Sequence, residues 1–295
     1  MPCYKPLKGW YSRIRNESGK RSIVFKASQG YNDRPVSVPC GQCVGCRLER
    51  SRQWAMRCLN EASLYDCNCF ITLTFSAECL VDNSLHKEDF QKLMKRLRKR
   101  YGSGVRYFHC GEYGEKFQRP HHHACLFNFD FPDKELWTVR NGVRLYRSES
   151  LEKLWPFGFC TIGDVTFESA AYVARYIMKK VTGEKADDHY NGRVREYITM
   201  SRRPGIGRAW IEQFKSDVYP SDAVVVRGDV ICKPPKYYDS LYELDEPKKM
   251  DILKRDRICT AKDNPDNRGD RLAIRGKVKL EKLKTLRRSY ETSCN

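Results

Sequence analysis

The amino-acid sequence predicts an α+β fold in which helices pack on an antiparallel sheet. Four segments, 69–75, 105–113, 121–127 and 158–165, are rich in β-forming residues, and the clearest of them alternate apolar and polar side chains as strands do. Two segments, around 90–97 and over 169–181, instead repeat apolar side chains at helical spacing. The strands and helices do not alternate strictly, which favours an antiparallel sheet over a parallel one.

The remaining elements follow in chain order from their own patterns. The first forty residues contain scattered Gly, Pro and Ser and predict irregular structure, and a helix is predicted from about residue 47 to 65. The two periodic helices each have an apolar face, formed by Phe90, Leu93, Met94 and Leu97 in one and by Ala170, Val173, Ala174, Ile177 and Val181 in the other. Beyond residue 182 the chain is rich in turn residues, and 224–226 predicts one more short strand.

Composition points to a polyanionic partner. The chain has 295 residues with 55 Lys+Arg against 37 Asp+Glu, a formal net charge of +18, for which nucleic acid is the simplest counterpart. A membrane role is disfavoured, because the sequence contains no run of about 18 apolar residues and does not open on a signal peptide. Its 14 cysteines are therefore expected to be reduced thiols, some of them in a metal site.

The three consecutive histidines at 121–123 predict a metal site. Strand side chains alternate faces, so His121 and His123 share one face and His122 takes the other. Glu112, near the end of the preceding strand, is the expected third ligand, with Glu115 as the alternative. Two imidazoles and a carboxylate leave coordination positions open, which suits a Lewis acid; the alternative is a chance cluster of surface histidines.

The helix over 169–181 carries a candidate nucleophile. Tyr172, Tyr176 and Lys179 lie at i, i+4 and i+7 and form one stripe, which we expect to point away from the apolar face. A phenol has a pKa near ~10, so it needs a cation or a metal nearby to attack phosphate at neutral pH. Alternatively, both tyrosines simply pack over the edge of the sheet.

Four cysteines near the N-terminus predict a second metal site. Cys40, Cys43 and Cys46 recur at every third residue, and Cys3 can supply a fourth thiolate for tetrahedral Zn²⁺. An iron–sulfur cluster is the alternative, but residues 49 and 50 are Glu and Arg where ferredoxin-type runs continue with a nearby Cys-Pro. Unligated thiols are the remaining interpretation.

The chain resembles the HUH endonucleases. The strand at 70–75, the histidine triplet and the Tyr172-x-x-x-Tyr176-x-x-Lys179 stripe fall in the order of the three motifs of that superfamily. More closely, the chain is similar to the replication initiation proteins of gokushoviruses, small single-stranded DNA phages. Segments 39–43, 111–115, 201–207 and 234–238 also carry this likeness, which extends from Cys3 to about Tyr242.

The resemblance implies an RRM-like palm and a reaction. A tyrosine attacks a phosphodiester at the phage origin and keeps the 5′-phosphate as a covalent adduct, and the freed 3′-hydroxyl primes rolling-circle synthesis. A second tyrosine cuts when the circle is complete, and the strand is rejoined. Tyr176 and Lys179 match the Tyr-x-x-Lys of one-tyrosine members, and Tyr172 is the added nucleophile. The middle residue of the histidine motif is normally bulky and apolar or aromatic, whereas here it is His122, which would face the core and need a partner.

Cofactors and partners follow from this likeness. A catalytic Mg²⁺ or Mn²⁺ is expected at His121, His123 and Glu112; imidazole favours Mn²⁺ and cellular abundance favours Mg²⁺. The expected partners are single-stranded or locally melted origin DNA and a host helicase and polymerase, since the sequence has no GxxxxGK[ST] loop for ATP. The expected location is the host cell cytoplasm. The DNA contacts are predicted to include Lys180, Arg175 and Arg119.

The chain divides into four predicted segments. Residues 1–66 form an N-terminal zinc element and helix, 67–183 the nuclease core, 184–245 a C-terminal elaboration and 246–295 a basic tail. For the tail, a disordered arm and a docked helix are both open. Two further functions are also open: a plasmid-type or transposase HUH enzyme, and a non-catalytic, zinc-bearing nucleic-acid-binding protein that binds by phosphate contacts and base stacking.

Overall fold

The computed structural model describes residues 3–17, 19–114, 117–179, 181, 185–219 and 221–284, without the side chains of 176–179, 185 and 227. The chain forms two compact units. The first contains Met1–Glu49 and Asp251–Arg287, and the second contains Arg50–Met250 and Arg288–Asn295. No helix among the described residues is long and apolar enough to span a membrane.

The described residues form strands and helices in both units. The strands are β1 (Leu7–Arg15), β2 (Arg21–Val24), β3 (Gly30–Val38), β4 (Asn68–Leu73), β5 (Arg106–Tyr113), β6 (Pro120–Phe127), β7 (Glu135–Arg140), β8 (Val143–Arg147), β9 (Cys160–Gly163), β10 (Tyr197–Met200), β11 (Val224–Arg227) and β12 (Val230–Cys232). The helices are α1 (Val44–Ala62), α2 (Lys87–Tyr101), α3 (Glu149–Leu154), α4 (Phe167–Lys179), α5 (Lys185–Tyr190), α6 (Arg208–Val218), α7 (Lys236–Asp245), α8 (Pro247–Asp263) and α9 (Gly269–Lys284). The division between the units falls inside α1 and α8.

A seven-stranded sheet organises the second unit. Its strand order is β10-β5-β6-β4-β9-β8-β7, and every neighbouring pair is antiparallel. The central strands β4, β5 and β6 are almost wholly buried, as expected of strands covered on both faces. The predicted α+β class with an antiparallel sheet is therefore confirmed, whereas the RRM-like palm and the four-segment division stay predictions.

Each face of this sheet has its own core. On one face α2 and α3 pack against a cluster that includes Ile71, Leu73, Leu93, Leu97, Ala124, Leu126, Leu151, Trp155 and Ile162. On the other face α1 and α4 pack against a cluster that includes Ala55, Cys58, Phe70, Phe108, Cys125, Phe127, Ala170 and Val173. Because strand side chains alternate, this second face is also the face of His121 and His123.

The segment after β6, for which the sequence predicted no element before residue 158, contains three. Strands β7 and β8 form a hairpin at the edge of the sheet, and α3 follows directly. Ser148 caps α3, since its Oγ accepts a hydrogen bond from the Leu151 N–H at 3.1 Å. Almost every β7 side chain is exposed, so this strand lacks the apolar alternation by which a half-buried strand is recognised.

The first unit corrects the prediction for the first forty residues. Strands β1, β2 and β3 form an antiparallel sheet in the order β2-β1-β3, where irregular structure was predicted. Most of their side chains are exposed on both faces, so the sequence carries no alternation signal. Of the two expectations for the basic tail, the docked helix holds as far as residue 284: Gly276 of α9 lies so close to Tyr4 that an added Cβ would be 3.2 Å from Tyr4 Cβ.

Candidate active site on the central sheet

The register of three strands brings the predicted metal ligands to one face. Glu112 on β5 pairs directly with His121 on β6, and His123 pairs with Cys110 on β5 and Thr72 on β4. Directly paired residues share a face, and side chains two residues apart do too. His121, His123 and Glu112 therefore share one face of the sheet, as predicted. Glu112 and His123 are both buried, at 3% exposure each.

His123 is fixed by polar contacts on both sides of its ring. Its Nδ1 is hydrogen-bonded to Thr72 Oγ1 at 3.0 Å, and its Nε2 lies 2.8 Å from Glu112 Oε1. A hydroxyl that holds Nδ1 orients the ring so that Nε2 is the atom presented to a metal, which is the usual arrangement behind metal-binding histidines. Thr72 could not be identified from the sequence, because cross-strand register cannot be deduced from strand periodicity alone.

His121 lies beside this pair. Its ring centroid is 6.4 Å from that of His123, and the two rings are nearly parallel, at 15°. Gly114 makes room for it, because a Cβ there would come within 2.9 Å of His121 Cε1. Among the described residues, however, His121, His123 and Glu112 do not form a set whose ligand atoms all lie within 4.8 Å of one another. The donor types and their common face fit a divalent cation, and the tightest pair is His123 and Glu112.

Tyr172 differs from its prediction in one respect. The tyrosine stripe was expected to point away from the apolar face, but Tyr172 is 4% exposed and belongs to the core beneath α4. Its ring packs edge-on against His123, with centroids 5.1 Å apart, and against Phe70 at 6.4 Å. Its hydroxyl lies 3.4 Å from Glu112 Oε1. The expectation failed because α4 crosses β5, β6 and β10, so the tyrosine ring fills the core while its polar end reaches Glu112.

Several other predicted site residues are only partly described. Tyr176 and Lys179 lie on the α4 backbone, but their side chains fall outside the described residues, as do Lys180 and Glu115 altogether. The Arg175 guanidinium carbon lies 5.9 Å from the Tyr172 ring centroid. Arg119 donates a hydrogen bond to the Phe75 carbonyl oxygen at 3.0 Å, so part of its guanidinium is committed to the backbone.

His122 faces the other core and has a partner, as its position required. It is fully buried, and its Nδ1 lies 3.1 Å from Nε2 of His109, which in turn is bonded through Nδ1 to Thr199 Oγ1 at 2.8 Å. Burial, followed by the neighbouring His123 and His121, lowers the pKa of His122 to about 3. Burial, followed by His122 and His123, also holds the pKa of His109 well below 6.5. The two form a neutral, hydrogen-bonded pair, separate from the face of His121 and His123.

The predicted cysteine site is assembled in the first unit. The sulfur atoms of Cys3, Cys40, Cys43 and Cys46 all lie within 4.8 Å of one another, with Cys3 Sγ 3.7 Å from Cys40 Sγ and 3.9 Å from Cys43 Sγ. Burial raises the pKa of Cys43, but hydrogen bonds from the backbone N–H groups of Cys46 and Tyr4 and from the Cys46 and Cys40 side chains together lower it to about 6. Burial raises the pKa values of Cys3 and Cys46. All four are free thiols rather than disulfides.

Comparison with known proteins identifies the family. A family model described as replication-associated protein ORF2/G2P matches residues 68–181, which begin at β4 and end just beyond α4. The chain is 32% identical over 259 residues to replication-associated protein VP4 of Bdellovibrio phage phiMH2K, covering 84% of this chain and 79% of the relative. It is 35% identical over 287 residues to replication-associated protein ORF2 of Spiroplasma virus 4, covering 89% and 87%.

A shorter match extends to a third phage. The chain is 33% identical over 180 residues to replication-associated protein ORF4 of Chlamydia phage 1, covering 57% of this chain and 45% of the relative. No solved structure matches. The chain belongs to the family of microvirus replication-associated proteins, which confirms its resemblance to the replication initiation proteins of these phages.

Proposed function

We propose that this protein initiates rolling-circle replication of a single-stranded DNA phage by nicking the origin strand and later rejoining it. The observation that carries the proposal is the contact between the Tyr172 hydroxyl and the Glu112–His123 pair, inside the region matched by the family model. A core tyrosine would need no such neighbours. A hydroxyl next to a carboxylate and an imidazole, on a basic protein, supports attack on phosphate.

The proposed chemistry is a transesterification. The tyrosine oxygen bonds to phosphorus, the bond from phosphorus to the 3′-oxygen breaks, and that oxygen leaves with a proton as the 3′-hydroxyl. Glu112 Oε1 lies 3.4 Å from the Tyr172 hydroxyl and can take its proton. His121 and His123 would hold, together with Glu112, a divalent cation that supplies Lewis-acid charge stabilisation to the phosphate. Tyr176, one turn along α4 and about 6 Å further along its axis, is the proposed second nucleophile, and Lys179 the proposed cation beside it.

A covalent-adduct assay tests this proposal. The protein is incubated with single-stranded origin DNA and Mn²⁺ or Mg²⁺, and a DNA-linked species is sought on a denaturing gel. We expect the adduct in the wild type, its loss in the double variant Tyr172→Phe with Tyr176→Phe, and its loss in His123→Ala. Wild-type protein that binds the DNA but never forms an adduct would instead support the non-catalytic nucleic-acid-binding alternative.

Tyr197→Phe is the matched control. Tyr197 pairs with Gly111 on β5 and lies on the opposite face of the same sheet. Among the described residues its buried hydroxyl has no hydrogen-bond partner, so the change removes no bond. Adduct formation in Tyr197→Phe should equal that of the wild type, and a loss there would mean that the effect of the double variant is not specific to the site.

We also propose that the four cysteines bind Zn²⁺. Four thiolates at Zn–S distances near 2.3 Å in a tetrahedron have sulfur atoms about 3.8 Å apart. The two distances from Cys3 Sγ, 3.7 and 3.9 Å, match that value. Metal analysis should find about one zinc per chain, lost in Cys40→Ser and kept in Cys67→Ser, which changes an exposed thiol. Protein without zinc whose Cys40→Ser variant unfolds like the wild type would refute the site, and bound iron would favour the cluster alternative.

Further partners follow from the reaction rather than from any contact. Rolling-circle synthesis from the freed 3′-hydroxyl requires a polymerase, and the displaced strand requires a helicase. We propose that the host supplies both, and that the protein acts on origin DNA inside the host cell. Co-purification of a host helicase with tagged protein from infected cells tests this, and reconstituted unwinding by the protein alone would contradict it.

A further inference from the structure

The hairpin of β7 and β8 carries an aromatic patch that the proposed chemistry does not use. Trp137 is 40% exposed, an unusual position for a tryptophan. Its ring lies edge-on to Phe159, with centroids 5.1 Å apart. The Arg140 guanidinium lies 5.4 Å from the Trp137 ring centroid, and that of Arg147 lies 5.3 Å from the Phe159 centroid. Two aromatic rings therefore lie side by side, each with an arginine beside it.

Register places Phe159 on the face of the candidate active site. Thr72 pairs with His123 on one side and with Thr161 on the other, so all three share a face. Phe159 precedes Thr161 by two residues and so has the same orientation. The Phe159 carbonyl accepts a hydrogen bond from the Thr74 N–H at 2.9 Å, which puts Phe159 two strands from β6, about 10 Å, near the level of His121.

Trp137 lies on the same face, at a position where β7 has a bulge. Leu136 pairs with Tyr146 and Thr138 pairs with Leu145, so Trp137 is the extra residue between two consecutive partners. Bulges of this kind are common at sheet edges and near functional sites. Leu136 faces the side of Tyr146 and Ile162, so the next residue, Trp137, faces the opposite side, where its ring meets that of Phe159.

Charge and shape at the patch fit a nucleic acid strand. Residues 135–147 contain Arg140, Arg144 and Arg147 against the single acid Glu135, a net charge of +2. Arg147 also pairs with Glu152 at 2.7 Å, so Arg140, beside the Trp137 ring, is the more available cation of the patch. A shallow, open surface depression lies next to Phe159 at this edge of the sheet, lined also by Ser76, Arg147 and Gly158.

We propose that Trp137 and Phe159 form a stacking platform for bases of single-stranded DNA next to the nick site. Aromatic rings stack on any base, and neighbouring arginines meet the phosphates, which is how proteins hold single strands without reading their sequence. The platform would keep the strand extended across the sheet toward His121 and Glu112. The platform proposal depends on the proposed function only in assuming that DNA binds to this face of the sheet.

Binding of a short fluorescein-labelled oligodeoxythymidine, measured by anisotropy without divalent metal, tests the platform. We expect Trp137→Ala to bind about tenfold more weakly, the loss typical of removing one stacking aromatic. Trp137→Phe, which keeps a ring, should recover most of the affinity. Leu136→Ala is the matched control, because Leu136 is the adjacent residue, is 57% exposed and faces the other side, and it should bind like the wild type.

The outcomes separate this proposal from the nuclease proposal. Equal affinity of Trp137→Ala and wild type would overturn the platform, even if the wild type forms the covalent adduct. Weakening by Leu136→Ala as much as by Trp137→Ala would also overturn it, since the effect would then belong to the hairpin as a whole. Selective weakening in Trp137→Ala supports the platform even if no adduct is ever found. In adduct assays, Trp137→Ala should form the adduct at the wild-type rate once the DNA is saturating. A misfolded site would instead form the adduct slowly at every DNA concentration.

Discussion

Thr72 determines how the His123 ring is presented. Its hydroxyl lies 3.0 Å from His123 Nδ1, while the opposite nitrogen, Nε2, faces Glu112. A residue that binds no metal itself can in this way set the affinity of a metal site, because it fixes the orientation and tautomer of the ligand. Residues outside the histidine motif, such as Thr72, can therefore influence metal binding at the candidate site.

Replacing Thr72 with Val should weaken divalent-metal binding. The change removes the hydroxyl bonded to His123 Nδ1 and keeps the branched shape, so we expect Mn²⁺ affinity to fall by about 10- to 100-fold with the fold retained. Isothermal titration calorimetry with Mn²⁺ measures this directly. Thr161→Val is the control, since Thr161 lies opposite Thr72 on β9 and should leave affinity unchanged. Unaltered Mn²⁺ affinity in Thr72→Val would mean that His123 is oriented by other contacts.

The buried His109 predicts a stability that depends on pH. Its folded pKa lies well below 6.5, so as the pH falls the unfolded chain takes up a proton before the folded chain does. This contribution to stability is complete above about pH 6.5 and decreases below it, by up to about 1.4 kcal/mol per pH unit. Urea unfolding of His109→Phe should show a shallower loss between about pH 6.5 and 5 than the wild type.

The groups facing His109 set the control for that experiment. They are Thr199, His122 and Tyr197, together with Phe90, whose ring stacks on His109 at 3.6 Å. The variant should also lose about 1–3 kcal/mol at pH 8, because His122 loses its partner. His189→Phe, at an exposed histidine of α5, should keep the wild-type pH dependence. An unchanged slope in His109→Phe would show that other groups cause the acid sensitivity.

The side chain of Glu61 connects α1 to β5 and to the turn before α6. It is 2% exposed, pairs with Arg106 of β5, and accepts a hydrogen bond from the Gly207 N–H at 2.6 Å. Arg106 also donates to the Pro204 carbonyl at 2.8 Å. Gly207 has a φ of 76°, a conformation that glycine adopts without strain. One buried carboxylate thus connects three elements of the second unit.

Glu61→Gln should destabilise the second unit. The substitution leaves the Arg106 guanidinium without its buried counter-charge, and we expect a loss of about 2–3 kcal/mol in urea unfolding. Glu152→Gln breaks the more exposed pair with Arg147 and should cost less than about 1 kcal/mol. Equal losses in the two variants would indicate that burial adds nothing to the Glu61 contact.

How much the sequence predicts depends on how each element is buried. The helix of Phe90 to Leu97 and strands β4, β5 and β6 were predicted because their apolar positions keep a clear period. Strands β1, β3 and β7 were missed because their side chains are mostly exposed and carry no such period. The candidate ligands His121 and His123 were predicted to share a face because period two within one strand decides that. Thr72 and His109 were missed, since which strands are neighbours, and in which register, is decided by tertiary packing.

The net charge of +18 predicts that the affinity for DNA depends strongly on salt concentration. A single strand with roughly three phosphates neutralised by the protein should bind about 20-fold more weakly at about 200 mM than at about 50 mM monovalent salt. Oligodeoxythymidine binding, measured by anisotropy across that range, gives the slope of the logarithm of the binding constant against the logarithm of the salt concentration. Arg140→Ala should reduce the slope by about one phosphate, and Arg34→Ala, whose side chain pairs with Asp33 in the first unit, is a control of equal charge. A slope near zero would exclude phosphate contacts as the main source of affinity.

The first unit is assembled from both ends of the chain, Met1–Glu49 and Asp251–Arg287. During translation, the helices that complete this unit are therefore synthesised some two hundred residues after its N-terminal strands. The four cysteines are all synthesised within the first 46 residues, so a metal ion could join them long before α9 exists. The proposed zinc site can therefore form during translation, and not only in the finished protein.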